Sequence, residues 1–277
     1  MAILSIQSAV AFGHVGNSAA VFPLQRLGFE VWPVDTVQFS NHAGYPTFRG
    51  PVTEPAAVAE IVKGIEERGA FPQCEAVLSG YIGAAALGAV VTDTVQRAKA
   101  ANPAAIWCCD PVIGDEGRVY VKSGIADFFR AQALPLADIV TPNRFELEVL
   151  TGRKISGVAE AVSAARSLGP RIVLVTSLGN SGDEVEMIVA GSEGAWRVAT
   201  PRLPVQLSGT GDLTAAMFLA HWLKTPDLPS ALASAAASVF AVVEATAHAG
   251  GGELRVVEAQ NALVRPRHTF HPERIEV

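Results

Sequence analysis

Short apolar runs alternate with longer amphipathic segments along nearly the whole chain, and this alternation restricts the possible folds more than any other feature. The apolar runs have the length of buried strands and occupy 2–6, 29–34, 75–78, 104–109, 138–140 and 171–176. Segments with helical spacing occupy 17–27, 55–68, 84–100, 125–133, 146–150, 211–223 and 230–247. Two further runs, 184–190 and 195–199, flank a pair of glycines and predict a hairpin. The pattern predicts an α/β three-layer sandwich, with a mostly parallel central sheet flanked by helices.

Composition excludes several classes of protein. A net charge of −6 argues against a nucleic-acid partner, which would require a basic surface. No apolar run was expected to be long enough to cross a membrane, and the first residues lack the charged start of a signal peptide. Cys74, Cys108 and Cys109 have neither disulfide nor zinc spacing. We therefore expect a cytoplasmic globular protein.

Polar side chains follow most of the predicted strands. Ser8 comes after the first strand, and the others are Ser79-Gly80-Tyr81, Asp110, Thr141-Pro142-Asn143 and Thr176. Parallel sheets bind ligands outside the carboxyl ends of their strands. These residues are therefore expected to line one crevice.

The segment 207–217 combines glycines, an acidic residue and the start of a helix. Gly209 and Gly211 flank Thr210 and allow the backbone to approach a ligand closely. The free N–H groups at the start of the helix that follows form an anion site. Asp212 either favours the helix N-terminus or acts as a base beside a bound phosphate.

Two further carboxylates, Asp110 and Glu146, are predicted to lie on one side of the sheet. Carboxylates of this kind hold Mg²⁺ that bridges nucleotide phosphates, although Asp110 can also be a turn residue and Glu146 part of a solvated helix face. Asn143 can be a helix N-cap, and a loop histidine such as His14 or His42 is typically a surface residue. The chain has neither a serine nucleophile elbow nor a Walker lysine. These features together favour a kinase that binds phosphate with backbone amides and a metal ion.

Several motifs together resemble pyridoxal kinase, a branch of the ribokinase-like superfamily, over almost the whole chain. They are Ser5-Ile6-Gln7-Ser8, Gly13-His14-Val15-Gly16-Asn17, Val37-Gln38-Phe39-Ser40-Asn41-His42, Ser79-Gly80-Tyr81, Cys109-Asp110-Pro111-Val112, Thr141-Pro142-Asn143-Arg144-Phe145-Glu146 and Gly209-Thr210-Gly211-Asp212. The resemblance implies a single ribokinase-like domain over 1–277 that phosphorylates the 5′-hydroxymethyl group of pyridoxal with ATP. Pyridoxine and pyridoxamine are further candidate substrates. Family members are usually homodimers, so a homodimer is expected here.

The resemblance also implies roles on the substrate side. Ser8 would hydrogen-bond the pyridine nitrogen, and His42 would lie near the 3-hydroxyl group. The ring would be held by Val15, Phe39 and Tyr81, with Ala43 and Gly44 in a substrate loop over 38–50. Many members of the family have threonine where this chain has Ala43, which removes one polar contact to the substrate.

On the nucleotide side, the resemblance implies that Asp212 is the base, and the amides of Gly209, Thr210, Gly211 and Asp212 would form an anion hole. Asp110 and Glu146 would serve Mg²⁺–ATP, and 114–121 would form a lid over ATP. Thr141, Asn143 and Thr176 would line the phosphates or a K⁺ or Na⁺ site. Residues implied near adenine are Thr200, Pro201, Arg202 and Leu203.

Three alternatives come from the same residues. A hydroxymethylpyrimidine kinase would share the phosphate machinery and differ in its ring pocket. A vitamin B6 binding protein with little turnover would not require Asp212 beside a phosphate site. A dinucleotide-dependent oxidoreductase fits the α/β pattern, but Gln7-Ser8-Ala9-Val10 follows the first strand in place of Gly-x-Gly-x-x-Gly.

Overall fold

A computed structural model describes residues 1–115, 117–178 and 182–276. The strands are β1 (Ala2–Val10), β2 (Glu30–Phe39), β3 (Cys74–Ser79), β4 (Ile106–Cys109), β5 (Gly114–Asp115), β6 (Arg118–Val119), β7 (Ile139–Val140), β8 (Ile172–Val175), β9 (Glu184–Gly191), β10 (Gly194–Pro201) and β11 (Glu273–Arg274). The helices are α1 (Asn17–Arg26), α2 (Pro55–Glu67), α3 (Ala85–Ala101), α4 (Ile125–Phe128), α5 (Arg144–Thr151), α6 (Val158–Ser167), α7 (Thr210–Lys224), α8 (Leu228–His248) and α9 (Gln260–Val264).

Within these described residues, nine strands form one sheet in the order β11-β10-β9-β8-β7-β4-β3-β1-β2. The six strands from β2 to β8 in this order pair in parallel. The next three pair antiparallel, and β9 and β10 form the expected hairpin. The predicted α/β fold with a mostly parallel sheet is therefore confirmed.

Both faces of the sheet are covered by helices. One hydrophobic cluster includes Val62 of α2 and Val91 of α3, and it packs against Trp107 of β4. The other includes Leu24 of α1 and Phe218 of α7, together with apolar residues of α8. The two clusters give the three layers, and they leave the carboxyl edge of the sheet available for polar residues.

The first two strands are longer than predicted. β1 runs to Val10 and β2 to Phe39, because the two strands pair along their whole length, with a register shift between Gln7 and Ala9. Ser8 is therefore a buried residue inside β1, and the substrate loop begins within β2. The short β11 was not predicted, since its two residues form a strand only by pairing with β10.

One prediction about hydropathy was wrong. Helix α8 is long and apolar enough to cross a membrane by length and composition, whereas no such run was expected. Much of its surface is buried in the second hydrophobic cluster against α7 and the sheet, as Leu232 and Val242 illustrate. Its apolar character is therefore that of a core helix.

A buried polar network joins the first two strands below the carboxyl edge. Asn17, the first residue of α1, accepts a hydrogen bond from the Ser5 hydroxyl (2.7 Å) and donates one to the Asp35 carboxylate (2.8 Å). The side-chain amide of Gln7 donates to the Ser5 hydroxyl at 3.0 Å. Buried polar groups without partners are costly, so this network specifies how α1 meets β1 and β2.

We expect Asn17→Ala to lower the free energy of unfolding by about 2–3 kcal/mol, because it removes the acceptor of the buried Ser5 hydroxyl proton and the donor to the half-buried Asp35 carboxylate. Denaturant titration measures the change. The control is Asn261→Ala, which removes an exposed hydrogen bond to Arg26 and should cost less than about 0.5 kcal/mol. Equal losses in the two variants would contradict the role assigned to the network.

Candidate active site

The residues after the parallel strands are held together by backbone hydrogen bonds. The N–H of Asp110 donates to the Ser79 carbonyl (2.8 Å), and the N–H of Thr141 donates to the Cys109 carbonyl (3.1 Å). The N–H of Thr176 donates to the Pro142 carbonyl at 3.0 Å. The ladder thus continues beyond the strands and fixes these residues at one edge.

Asp110 is buried among other acidic groups. Only 5% of its surface is exposed, and the Thr141 hydroxyl donates to its Oδ1 at 2.9 Å. Burial raises the pKa of Asp110 well above its usual value, and the negative charges of Glu146 and Asp212 raise it further. The predicted convergence of these three carboxylates is therefore observed.

Glu146 forms a capping box at the start of α5. The Asn143 side chain accepts from the Glu146 N–H at 2.8 Å, and Glu146 Oε2 accepts from the Asn143 N–H at 2.9 Å. Glu146 Oε1 accepts from the N–H groups of Ile113 (2.8 Å) and Gly114 (3.4 Å). Burial raises the pKa of Glu146 to about 8 although these backbone hydrogen bonds oppose the shift. Glu146 is thus the buried anchor of the segment that begins the lid.

The phosphate loop, residues 209–212, begins α7. Gly209 adopts a φ of +85°, which favours glycine, and a Cβ there would collide with the carbonyl oxygen of His14. Gly211, in contrast, has open space around its Cα. The free N–H groups at the start of a helix and its dipole attract anions. This loop is therefore shaped for a phosphate and packed against the β1–α1 loop.

Asp212 lies where the phosphate loop meets the β1–α1 loop. The backbone N–H groups of Gly16 and of Asp212 itself donate to its carboxylate. Burial is the larger effect and raises the pKa of Asp212 to about 6. A carboxylate with this pKa is ionised at neutral pH and can still accept a proton effectively.

Gly16 connects Asp212 to the predicted ring pocket. A Cβ on Gly16 would collide with both the carbonyl and the hydroxyl oxygen of Ser8, so the two residues are in close contact. Val15 is buried beside them, with 6% of its surface exposed. Ser8 and Asp212 are thus separated by one glycine, although they are far apart in sequence.

The substrate loop, 38–50, also reaches this region. The rings of Phe39 and Phe48 lie 5.0 Å apart between centroids. His42 Nδ1 accepts from the N–H of Gly44 at 3.1 Å and lies 3.4 Å from the Ser208 hydroxyl, next to the phosphate loop. Burial lowers the pKa of His42, which favours its neutral form.

Tyr81 and Ala43 differ in their surroundings. Tyr81 is half-buried after β3, and its carbonyl oxygen accepts a hydrogen bond from the Thr36 hydroxyl at 2.6 Å. Burial raises the pKa of the Tyr81 phenol. Ala43 is exposed on the substrate loop.

The lid, 114–121, contains the small hairpin of β5 and β6. Within it, Glu116 lies outside the described residues. The Asn143 side chain donates to the Gly114 carbonyl at 2.8 Å and fixes the base of the lid. Desolvation and the charges of Glu146, Asp212 and Asp110 raise the pKa of Tyr120. Tyr120 therefore lies near the three carboxylates, although 56% of its surface is exposed.

The residues predicted near adenine lie at the same edge, at the side of the sheet formed by β8–β10. Thr200 and Pro201 belong to β10, and Thr200 is buried. Arg202 donates to the carbonyls of Gly182 (3.1 Å) and Glu184 (3.0 Å). Leu203 follows in the connection to the phosphate loop and accepts from the N–H of Val205 at 2.8 Å.

Three residues of this region were not selected from the sequence. Gly16 hydrogen-bonds Asp212, Ser208 approaches His42, and Glu253 contacts both the β1–α1 loop and the substrate loop. Gly16 carried a signal, because it belongs to a glycine pair before a helix. Glu253 follows a run of three glycines that indicates only a break in structure.

Comparison with known proteins gives consistent matches. A family model described as phosphomethylpyrimidine kinase matches residues 55–257. A pyridoxal kinase PdxY of Rubrobacter xylanophilus is 53% identical, over 99% of this chain and 97% of that protein. A pyridoxal kinase PdxY of Deinococcus radiodurans is 49% identical, over 99% and 96%. A pyridoxal kinase structure from Leishmania donovani in complex with ADP and pyridoxamine has a TM-score of 0.92 at 30% identity, over 99% of both chains.

We expect Gly209→Ala to lower the free energy of unfolding by about 2–4 kcal/mol, because alanine is strained at this φ and its Cβ collides with the His14 carbonyl. Gly211→Ala is the matched control. Its Cβ meets open space within a helix, so stability should stay within about 1 kcal/mol of the original or rise. Thermal and denaturant unfolding measure both variants, and a reversed order would refute the packing described here.

Proposed function

The chain belongs to the pyridoxal kinase family of the ribokinase-like superfamily, and we propose that the residues at the carboxyl edge carry out the reaction as described below. It is an ATP-dependent kinase that phosphorylates the 5′-hydroxyl of pyridoxal to give pyridoxal 5′-phosphate. The assignment of roles rests on the position of Asp212. This residue lies between Gly16, which contacts Ser8, and the free amides of the phosphate loop.

Asp212 acts as the base. The 5′-hydroxyl oxygen attacks the γ-phosphorus of ATP, the bond from that phosphorus to the β,γ-bridging oxygen breaks, and ADP leaves. The hydroxyl proton passes to the Asp212 carboxylate. An alcohol is a weak acid, so the proton transfers late and the carboxylate also orients the hydroxyl. The hydrogen bond from Gly16 holds the carboxylate in place for this step.

The backbone amides of Gly209, Thr210, Gly211 and Asp212 form the anion hole. They stand at the N-terminus of α7, whose first N–H groups have no carbonyl partner within the helix, although the Asp212 N–H also donates to its own carboxylate. Charge that develops on the transferred phosphoryl group is stabilised there without any reorganisation of side chains. The contact between Gly209 and the His14 carbonyl keeps this geometry rigid.

Asp110 and Glu146 serve a Mg²⁺ ion. In the part of the chain that the structure describes, no three His, Cys, Asp or Glu side chains group to hold a metal alone, which fits an ion bound mainly by phosphates and water. Asp110 is the more available ligand, since three backbone N–H groups already bind Glu146. When bound, Mg²⁺ neutralises charge on the β- and γ-phosphates.

Other polar residues at the edge complete the nucleotide site. Thr141, Asn143 and Thr176 line the phosphates or a K⁺ or Na⁺ site. The lid over 114–121 covers ATP, and residues 200–203 flank the adenine. The charges of Glu146, Asp212 and Asp110 raise the pKa of Tyr120, and this supports a lid that stands near the carboxylates.

The ring pocket combines apolar walls with few polar groups, as small-molecule sites do. Ser8 donates to or accepts from the pyridine nitrogen, according to the protonation state of the ring. Val15, Phe39 and Tyr81 hold its faces. Neutral His42 lies near the 3-hydroxyl, with Gly44 shaping the loop and Ala43 contributing no hydroxyl. The missing hydroxyl at position 43 leaves His42 as the main polar contact from this loop.

The remaining features belong to the whole molecule. The chain acts as a single domain over 1–277, because both hydrophobic clusters pack on the same sheet. It forms a homodimer and works in the cytoplasm. Size-exclusion chromatography with light scattering tests the assembly state.

The neighbouring candidate is a hydroxymethylpyrimidine kinase, which the description of the family model suggests. That match covers 55–257, so it includes Tyr81 but leaves out the other parts of the proposed ring pocket, namely Ser8, Val15 and the substrate loop. The relatives that match over the whole chain are pyridoxal kinases. A low-turnover binding protein is disfavoured because binding alone needs no carboxylate at Asp212. Measuring ATP-dependent turnover of pyridoxal, pyridoxine, pyridoxamine and hydroxymethylpyrimidine tests the assignment, and preference for the pyrimidine would overturn it.

Asp212→Asn should abolish nearly all turnover, because the amide keeps the shape of the side chain and cannot accept the proton. We expect kcat to fall by about 10²–10⁴-fold, the range for general bases. Pyridoxal and Mg²⁺–ATP binding, measured by calorimetry, should stay within a few-fold of the original. A variant with normal kcat would remove Asp212 as the base.

The pH profile should reveal the same group. Asp212 must be ionised to act as base, and its pKa is raised to about 6. The value of kcat/KM should therefore be constant above pH about 7 and fall about tenfold per unit below pH 6. The residual kcat/KM of Asp212→Asn over the same range is the control and should show no such midpoint. A flat kcat/KM down to pH 5 would contradict the assignment.

A further inference from the structure

We propose that Glu253 is a positioning residue that holds the substrate loop against the β1–α1 loop, with the Tyr45 hydroxyl as its latch. The inference rests on the proposed role of residues 38–50 in binding pyridoxal. Glu253 lies at the end of a glycine run, outside every motif that marks the active site.

The carboxylate of Glu253 joins two segments that are distant in sequence. The Tyr45 hydroxyl donates to its Oε1 at 2.6 Å. The backbone N–H of His14 donates to its Oε2 at 3.1 Å. Hydrogen bonds to a charged acceptor are stronger than neutral ones. One side chain thus ties the tip of the substrate loop to the loop that carries Val15 and Gly16.

The β1–α1 loop is shaped to receive this carboxylate. Gly13 has a φ of +92°, and a Cβ at that position would collide with the carboxylate of Glu253. The backbone must be bare there for the contact to form. Gly13 and Glu253 are separated by most of the chain. The contact therefore depends on the residue type at two distant positions.

The segment that carries Glu253 is anchored in the core. Leu254 is fully buried, and its Cδ1 would lie 3.3 Å from a Cβ on Gly209 of the phosphate loop. The N–H of Arg255 donates to the Thr246 hydroxyl of α8 at 3.0 Å. Glu253 is therefore held in a fixed position relative to the phosphate loop, and it restrains the tip of the substrate loop.

The substrate loop closes mainly on itself, so its tip depends on such a latch. Its internal hydrogen bonds include those from the Ser40 N–H to the Arg49 carbonyl (2.6 Å) and from the Asn41 side chain to the Thr47 carbonyl (2.8 Å). Tyr45 is 41% exposed and gains little from packing. The hydrogen bond to Glu253 raises the pKa of its phenol, which keeps the hydroxyl protonated as a donor. Because the latch already orders the tip, the loop loses less conformational entropy when substrate binds.

The test compares three latch variants, namely Glu253→Gln, Tyr45→Phe and the two changes combined. Glu258→Gln is the control. Glu258 is the matched control, because it is exposed on the same segment and pairs only with Arg255 at 3.6 Å among the contacts that the described residues make. KM for pyridoxal should rise about three- to tenfold in each latch variant, the loss expected for one partly exposed hydrogen bond. kcat and KM for ATP should change less than about twofold, since the phosphate loop is untouched. The double variant should be no worse than Glu253→Gln alone, because both changes remove the same contact.

A second measurement does not depend on turnover. Amide hydrogen exchange of residues 41–47 should become several-fold faster in Tyr45→Phe, which removes one exposed hydroxyl and should not affect folding. The proposal is overturned if exchange is unchanged, if KM for pyridoxal in Glu253→Gln equals that in Glu258→Gln, or if kcat falls while that KM is constant. Wild-type protein that does not phosphorylate pyridoxal would refute the proposed function instead, and the exchange result would still decide whether the latch exists.

Discussion

Three carboxylates lie together at the carboxyl edge of the sheet, and the rest of the site depends on how their charges are controlled. Asp110, Glu146 and Asp212 all have raised pKa values, because burial disfavours their charged forms, and the charges of Glu146 and Asp212 add to the effect at Asp110. The folded state therefore gains stability as pH falls through the raised values, from about 8 for Glu146 to about 6 for Asp212. At neutral pH Glu146 is therefore mostly protonated and Asp212 mostly ionised, and carboxylates with perturbed pKa values of this kind are typical of a catalytic site.

Close backbone approaches at two glycines hold the residues of this site in place relative to one another. Gly16 lies between Ser8 and Asp212, and Gly209 lies against the His14 carbonyl. A larger residue at either position would separate the ring pocket from the phosphate loop. Because reacting atoms must be held to within a fraction of an ångström, these two close approaches would, on the proposed roles, determine the distance between the substrate hydroxyl and the phosphate.

Local patterns in the sequence were enough to predict the layers and most of the edge. Alternating apolar runs gave the sheet, and the N-cap interpretation of Asn143 is confirmed by its capping box with Glu146. The interpretation of Glu146 as part of a solvated helix face was wrong, because this side chain is buried. The burial of Ser8 inside β1 could not be predicted, since the strand is extended by pairing with β2. Glu253 was missed for a similar reason: its partners are brought to it by α8 and the substrate loop, and no local pattern records them.

The acidic character of the site bears on the form in which we propose that its nucleotide binds. ATP carries several negative charges, and an ionised carboxylate at the site repels them. Arg202, the arginine expected near the nucleotide, directs its guanidinium to the carbonyls of Gly182 and Glu184. The amides of the phosphate loop supply only partial positive charge. On the proposed roles, free ATP would meet repulsion at an ionised Asp110, whereas Mg²⁺–ATP would turn the same carboxylate into an attractive contact. This difference is the physical reason for proposing that the site binds the metal complex.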